Sequence, residues 1–69
     1  MNGGKLRFYD ETRGFGFIKC DDGTGDEFVH ATAFQRSEIK PAIGLRLSFE
    51  RAELPDGRTR AVKLRLEIA

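Results

Sequence analysis

The last third of the chain constrains the fold most. Val62, Leu64, Leu66 and Ile68 alternate with Ala61, Lys63, Arg65 and Glu67, the period-two pattern of a strand with one buried and one wet face. Just upstream, Leu45, Leu47 and Phe49 alternate with Arg46, Ser48 and Glu50. The joining segment "LPDGR" holds Pro55, whose φ is preset, and Asp56-Gly57, which tolerates positive φ. Two alternating runs joined by such residues predict a β-hairpin.

Turn chemistry divides the rest in the same way. Residues 5 to 10, 14 to 20 and 26 to 31 are strand-like, separated by "ETR" and "DDGTG". The one long connection, "ATAFQRSEIKPAIG", has room for a helical turn near Thr32 to Arg36 before Pro41 stops it. Five short strands with a longer link after the third predict an all-β, five-stranded antiparallel Greek-key barrel of the oligonucleotide-binding (OB) type. An SH3-like barrel is the competing architecture. Sixty-nine residues allow one domain, residues 1–69.

A chain this short removes only ~60% of its unfolded surface from water. Full burial of a Phe contributes roughly 1.5 to 3 kcal/mol, so any of the six phenylalanines left outside is a sacrifice that suggests a use. In the second strand, period two puts Phe15, Phe17 and Lys19 on one face and Gly16, Ile18 and Cys20 on the other. Lys19 decides which is wet, because lysine is almost never fully buried, and a glycine suits the crowded inner side of a coiled barrel. In the third strand Asp26, Phe28 and His30 share a face. If "DDGTG" closes a hairpin pairing Lys19 with Asp26, Phe17 meets Phe28 and Phe15 meets His30, giving a ring patch bordered by a Lys19–Asp26 ion pair.

The plain alternative is that these rings are core and the cations only solubilise. Sheets rarely expose so many aromatics together without a use. Unpaired bases offer π-faces worth about 1 to 3 kcal/mol each on an aromatic platform, while Lys and Arg hold the phosphates. The net charge of +1 hides the needed bias: Lys5, Arg7, Arg13 and Lys19 fall in or beside the first two strands with Asp10 and Glu11 between them, and Asp21, Asp22, Asp26 and Glu27 crowd the next turn.

The motifs "RGFGFI" and "EFVH" resemble the two ribonucleoprotein-type motifs of the cold-shock domain, usually "KGFGFI" and "VFVH", at a fitting separation. The similarity extends from "GKLRFYD" to the final strand. It implies a small OB-type barrel that binds single-stranded RNA and DNA with little sequence demand, often as an RNA chaperone. Carried over by position, it assigns base stacking to Phe8, Phe15, Phe17, Phe28 and His30 and basic roles to Arg7 and Arg13, with Lys5, Lys19 and Arg58 as weaker phosphate contacts. Strict alternation from Leu6 would turn Phe8 inward, so this assignment requires a local bulge or strong twist. Phe8 stands where Trp is usual, Ala31 where Phe is usual, and no aromatic lies near Glu38 and Ile39. The resemblance therefore implies weaker affinity than that of a typical member. Phe34 is expected in the core and Tyr9 half-buried.

The wording of "KPAIG" and "DGRTRAV" is similar to cold-shock modules that precede a membrane-embedded region in some larger bacterial proteins. Membrane contact is thus expected only for a longer protein containing this module. The chain itself has no apolar signal core and no long apolar run, which predicts a soluble, cytoplasmic protein; a monomer is expected. Its lone Cys20 excludes an intrachain disulfide and fits a small core residue in a reducing compartment.

Other chemistry finds little support. One Cys and one His cannot supply the four ligands of structural zinc, and they should face opposite sides of the sheet, which argues against a thiol–imidazole pair. The turn "DDGTGDE" lacks the spaced ligands of a calcium loop. Gly14-Phe15-Gly16 and Gly23-Thr24-Gly25 are fragments of nucleotide-binding patterns without the following helix. Neither a metal, a cofactor, a small-molecule substrate nor an enzymatic activity is expected. The rival is a protein-interaction barrel whose ring patch receives a peptide or subunit.

Overall fold

The computed structural model describes residues 2–67. Its elements are β1 (Asn2–Asp10), β2 (Phe15–Cys20), β3 (Asp26–His30), α1 (Ala31–Arg36), β4 (Arg46–Glu53) and β5 (Thr59–Leu66). The strands close into a barrel in the order β1-β2-β3-β5-β4, the OB-type architecture rather than the SH3-like one. Four strand pairs are antiparallel. The exception to the all-antiparallel expectation is the closure, where β3 and β5 run parallel at the step Val29–Ala61.

Closure depends on β1 serving two neighbours. Its first residues, Asn2 to Lys5, pair with β4, and Gly4 to Asp10 pair with β2. The strand expected over residues 5 to 10 thus starts earlier, at Asn2, through two adjacent glycines that disfavour a strand on propensity alone. Their value is steric. A Cβ at Gly4 would lie 2.7 Å from Ile18 Cγ2, so only glycine lets β2 lie so close where β1 curls from one partner to the other.

Lys19 identifies the outside of β2 correctly: Ile18 is fully buried and Lys19 exposed. Leu6, Ile18, Val29, Phe34, Leu47, Phe49 and Ala61 fill the interior. On β5 the expected alternation fails. Ala61 and Leu64, three apart, are buried, whereas Leu66 is 49% exposed. Ser48 and Glu50 pair with Arg65 and Val62, so β5 carries one extra residue across this interval. Lys63 sits there at φ 52, and the resulting bulge shifts the phase of the strand. Ile68, the last apolar position of the expected pattern, lies outside the described residues.

Helix α1 falls where expected, ending at Arg36 ahead of Pro41. His30 is its N-cap and Ser37 its C-cap. The amide of Glu38 donates to Gln35 O (3.2 Å) and that of Ile39 to Phe34 O (3.0 Å). These two bonds form a Schellman closure, in which the residue after the cap turns left-handed. Here that residue is Glu38, at φ 57. The closure folds Ile39 onto the core beside Phe34, which is 1% exposed as expected of a core ring.

Candidate functional site

An extra residue in β1 builds the outer face. Leu6 pairs with Ile18, but Phe8 pairs with Phe17, so Arg7 bulges out of register. Leu6 stays inside while Phe8 is turned outward, 43% exposed. This is the bulge that an outward Phe8 requires. Gly16 makes room for it: a Cβ there would run into the Phe8 carbonyl and lie 2.9 Å from Tyr9 Cδ1.

Pairing of β2 with β3 follows the predicted register, with Phe15 opposite His30, Phe17 opposite Phe28 and Lys19 opposite Asp26. The four phenylalanines therefore meet outside the barrel. Phe8 lies 6.1 Å from both Phe15 and Phe17, centroid to centroid. Phe15 stacks on Phe28 at 5.7 Å, while Phe17 stands edge-on to Phe15 and Phe28 at 5.9 and 6.1 Å. Phe15, Phe17 and Phe28 are half-buried, their mutual contacts holding the rings as one partly exposed platform. His30 borders it, but its ring is not free: Nδ1 accepts from the Thr32 amide at 3.1 Å. A neutral ring then carries its proton on Nε2, available to a ligand.

The cations are less free than the sequence suggests. Arg7 donates to Asp26 at 3.0 Å. This replaces the expected Lys19–Asp26 ion pair, because the bulged Arg7 reaches across the outer face and occupies the carboxylate. Arg13 lies 3.8 Å from Asp10, and Arg58 is 2.9 Å from Asp56. The Arg58 amide, with its guanidinium, holds the Asp56 carboxyl below its ordinary range. Lys5 and Lys19, directly opposite each other on β1 and β2, make no ion pair among the described residues. Two of the three weaker candidates are thus the least compensated.

Sequence reasoning missed the partly buried ion pair between β3 and β4. Glu27, 6% exposed, accepts from Arg51 Nε at 2.7 Å and from Thr59 Oγ1 at 2.9 Å. Arg51 Nη2 also donates to Thr24 Oγ1 at 2.9 Å and to Cys20 Sγ at 3.2 Å. The Cys20 sulfur and then the Glu27 carboxylate favour the charged guanidinium, outweighing the opposing effect of its burial. The Thr24 hydroxyl and amide likewise hold Asp22 below its ordinary value. The signal was in "EFVH": Glu27 occupies an inward register position where the usual motif has Val.

The profile of the 'Cold-shock' DNA-binding domain family matches residues 2–66. The chain is 44% identical over 43 residues to cold shock protein CspA of Rhizobium meliloti, an alignment spanning 62% of each chain. It is 44% identical over 48 residues to cold shock-like protein CspE of Escherichia coli, covering 68% of this chain and 70% of the relative. Against cold shock protein CspV of Vibrio cholerae it is 43% identical over 47 residues, 67% of each. Among the described residues no helix is long and apolar enough to cross a membrane.

Proposed function

This chain belongs to the cold-shock domain family, and from that premise we propose that it binds single-stranded RNA or DNA by stacking unpaired bases on Phe8, Phe15, Phe17 and Phe28. One observation carries the reading. The interior is already filled, with Phe34 and Phe49 as its largest side chains, yet four further phenylalanines meet outside it. Apolar rings left wet on so small a barrel forgo burial energy, and bases recover it at about 1 to 3 kcal/mol each.

His30 offers its Nε2 proton to a base edge or phosphate. Lys5 and Lys19 hold backbone phosphates directly, whereas Arg7, Arg13 and Arg58 must exchange a carboxylate partner for a phosphate. The protein is a binder, not an enzyme, and its action is passive: a base held on a ring is withheld from pairing, so RNA hairpins shift toward the open form. No cofactor or nucleoside triphosphate enters this scheme. We assign it to the cytoplasm as a monomer acting as an RNA chaperone or regulator of transcription or translation. Phe8 in place of Trp and Ala31 in place of Phe reduce the platform and favour modest affinity.

Phe15→Ala and Phe28→Ala test the reading. Each should weaken oligonucleotide binding about tenfold, since ~1.4 kcal/mol is a factor of ten and stacking is of that size, with cooperative unfolding retained. Loss of folding in both variants would return these rings to a core role.

A further inference from the structure

The outer face does not end at His30. Because Val29 pairs in parallel with Ala61, the neighbours of these inward residues turn outward together: Arg60 lies beside Phe28, and Val62 beside His30. The last turn of α1 brings Arg36 to the same place. A small cleft results, lined by His30, Thr32, Arg36, Arg60 and Val62 together with two buried alanines. Among the described residues no carboxylate lines it. The hollows elsewhere along the ring face differ in this respect, holding Asp10 and Glu11 beside Phe8, or Asp26 and Glu27 beside Phe28.

Charge compensation sharpens the contrast. Arg7, Arg13, Arg46, Arg51 and Arg58 each engage a carboxylate, while Arg36 and Arg60 make no ion pair among the described residues. Both are exposed. Two uncompensated guanidinium groups facing an acid-free cleft, next to a hydroxyl and an imidazole, suit a tetrahedral oxyanion, to which arginine donates in a fixed fork.

We propose that the Arg36–Arg60 cleft is a backbone-phosphate site that holds the strand as it leaves the ring platform past Phe28 and His30. The inference rests on the single-strand reading above and extends it to β5 and α1. Bases are read on β1, β2 and β3; the exiting phosphodiester is gripped one strand further round the barrel. The Arg36 and Arg60 contacts require no prior exchange of an internal carboxylate, so they contribute fully to the salt dependence of binding.

The test uses heptathymidine with its last two phosphodiesters replaced by neutral methylphosphonates, at one end or the other. The protein should bind one of these oligomers several-fold more weakly than the unmodified strand. In the double variant Arg36→Gln/Arg60→Gln that difference should vanish, and the slope of log K against log salt should become shallower by about 1.4, two contacts at ~0.7 each. Arg36→Lys/Arg60→Lys should restore most of both. Because a double-mutant cycle isolates the contact itself, an end-modification penalty that persists unchanged in the Gln variant, with an unchanged salt slope, overturns the cleft while leaving the ring platform standing. Competition by millimolar inorganic phosphate as effective as that of the oligomer also overturns it, marking a free-anion site. Failure of the folded wild-type protein to bind any heptathymidine defeats the single-strand reading, and the cleft with it.

Discussion

Phe8 and Glu27 show how single residues depart from simple alternation. Phe8 is outward because Arg7 is an extra residue in β1, and its direction could be anticipated only by matching the family motif, since period two places it inside. Glu27 obeys alternation and is inward, although its charge argues for water. What rescues it is Arg51, 24 positions away in the sequence, and no local pattern discloses a partner at that range. Breaking a buried pair leaves an uncompensated charge at a cost of about 3 to 5 kcal/mol, whereas replacing both members with apolar residues is often neutral or stabilising by about 1 to 4 kcal/mol. Arg51 retains 28% side-chain exposure, which moderates both effects. Arg51→Ile alone should therefore destabilise by about 3 kcal/mol in urea unfolding, and Glu27→Val/Arg51→Ile should be at least as stable as the wild type. Equal stability of Arg51→Ile and wild type would show that Glu27 does not depend on its partner.

Strands and turns were legible where pattern and turn chemistry agree. The β4–β5 hairpin follows from "LPDGR", whose loop closes with Leu54 N donating to Arg58 O at 2.7 Å, and the β2–β3 register follows from the spacing across "DDGTG". The bulge of β5 was not legible, because its left-handed position is held by Lys63 rather than by a glycine. The end of α1 near Arg36 was legible, but the device that closes it was not: the left-handed position usually held by glycine is filled by Glu38, whereas the sequence pointed to Pro41. In β2, by contrast, Gly16 is a readable steric requirement. Gly16→Ala would press a methyl group against the Phe8 carbonyl and the Tyr9 ring, and overpacking of this kind costs about 1 to 3 kcal/mol. The variant should show that loss in thermal unfolding. It should also lose oligonucleotide affinity beyond that of Phe8→Ala, because the strand that carries Phe15 and Phe17 shifts with it. Unchanged stability would mean that the bulge does not depend on a bare position at 16.

At the scale of the molecule, the barrel divides labour between its surfaces. The inside is aliphatic with two phenylalanines, Phe34 and Phe49, and the outside carries the other four. Strand count, order of turns and the outward side of β2 were all readable; the parallel closure of β3 on β5 was not, because it joins two segments that no turn connects. That closure matters for function, since it brings Arg60 beside the rings. Among the described residues Lys5, Lys19, Arg36 and Arg60 are then the uncompensated cations around the platform, and four phosphate contacts at ~0.7 each give a salt slope near −3. Arginines that trade one carboxylate for one phosphate add little to it. A peptide partner on the same rings would show a much shallower dependence.

Titration of labelled heptathymidine, and of a duplex of equal length, at two salt concentrations puts the central claim to the most direct test. The single strand should bind, with a slope between about −2 and −3 for three to four contacts, and the duplex, whose base faces are already stacked, should bind far more weakly. Equal affinity for both, or no binding of the single strand at low ionic strength, would contradict the account.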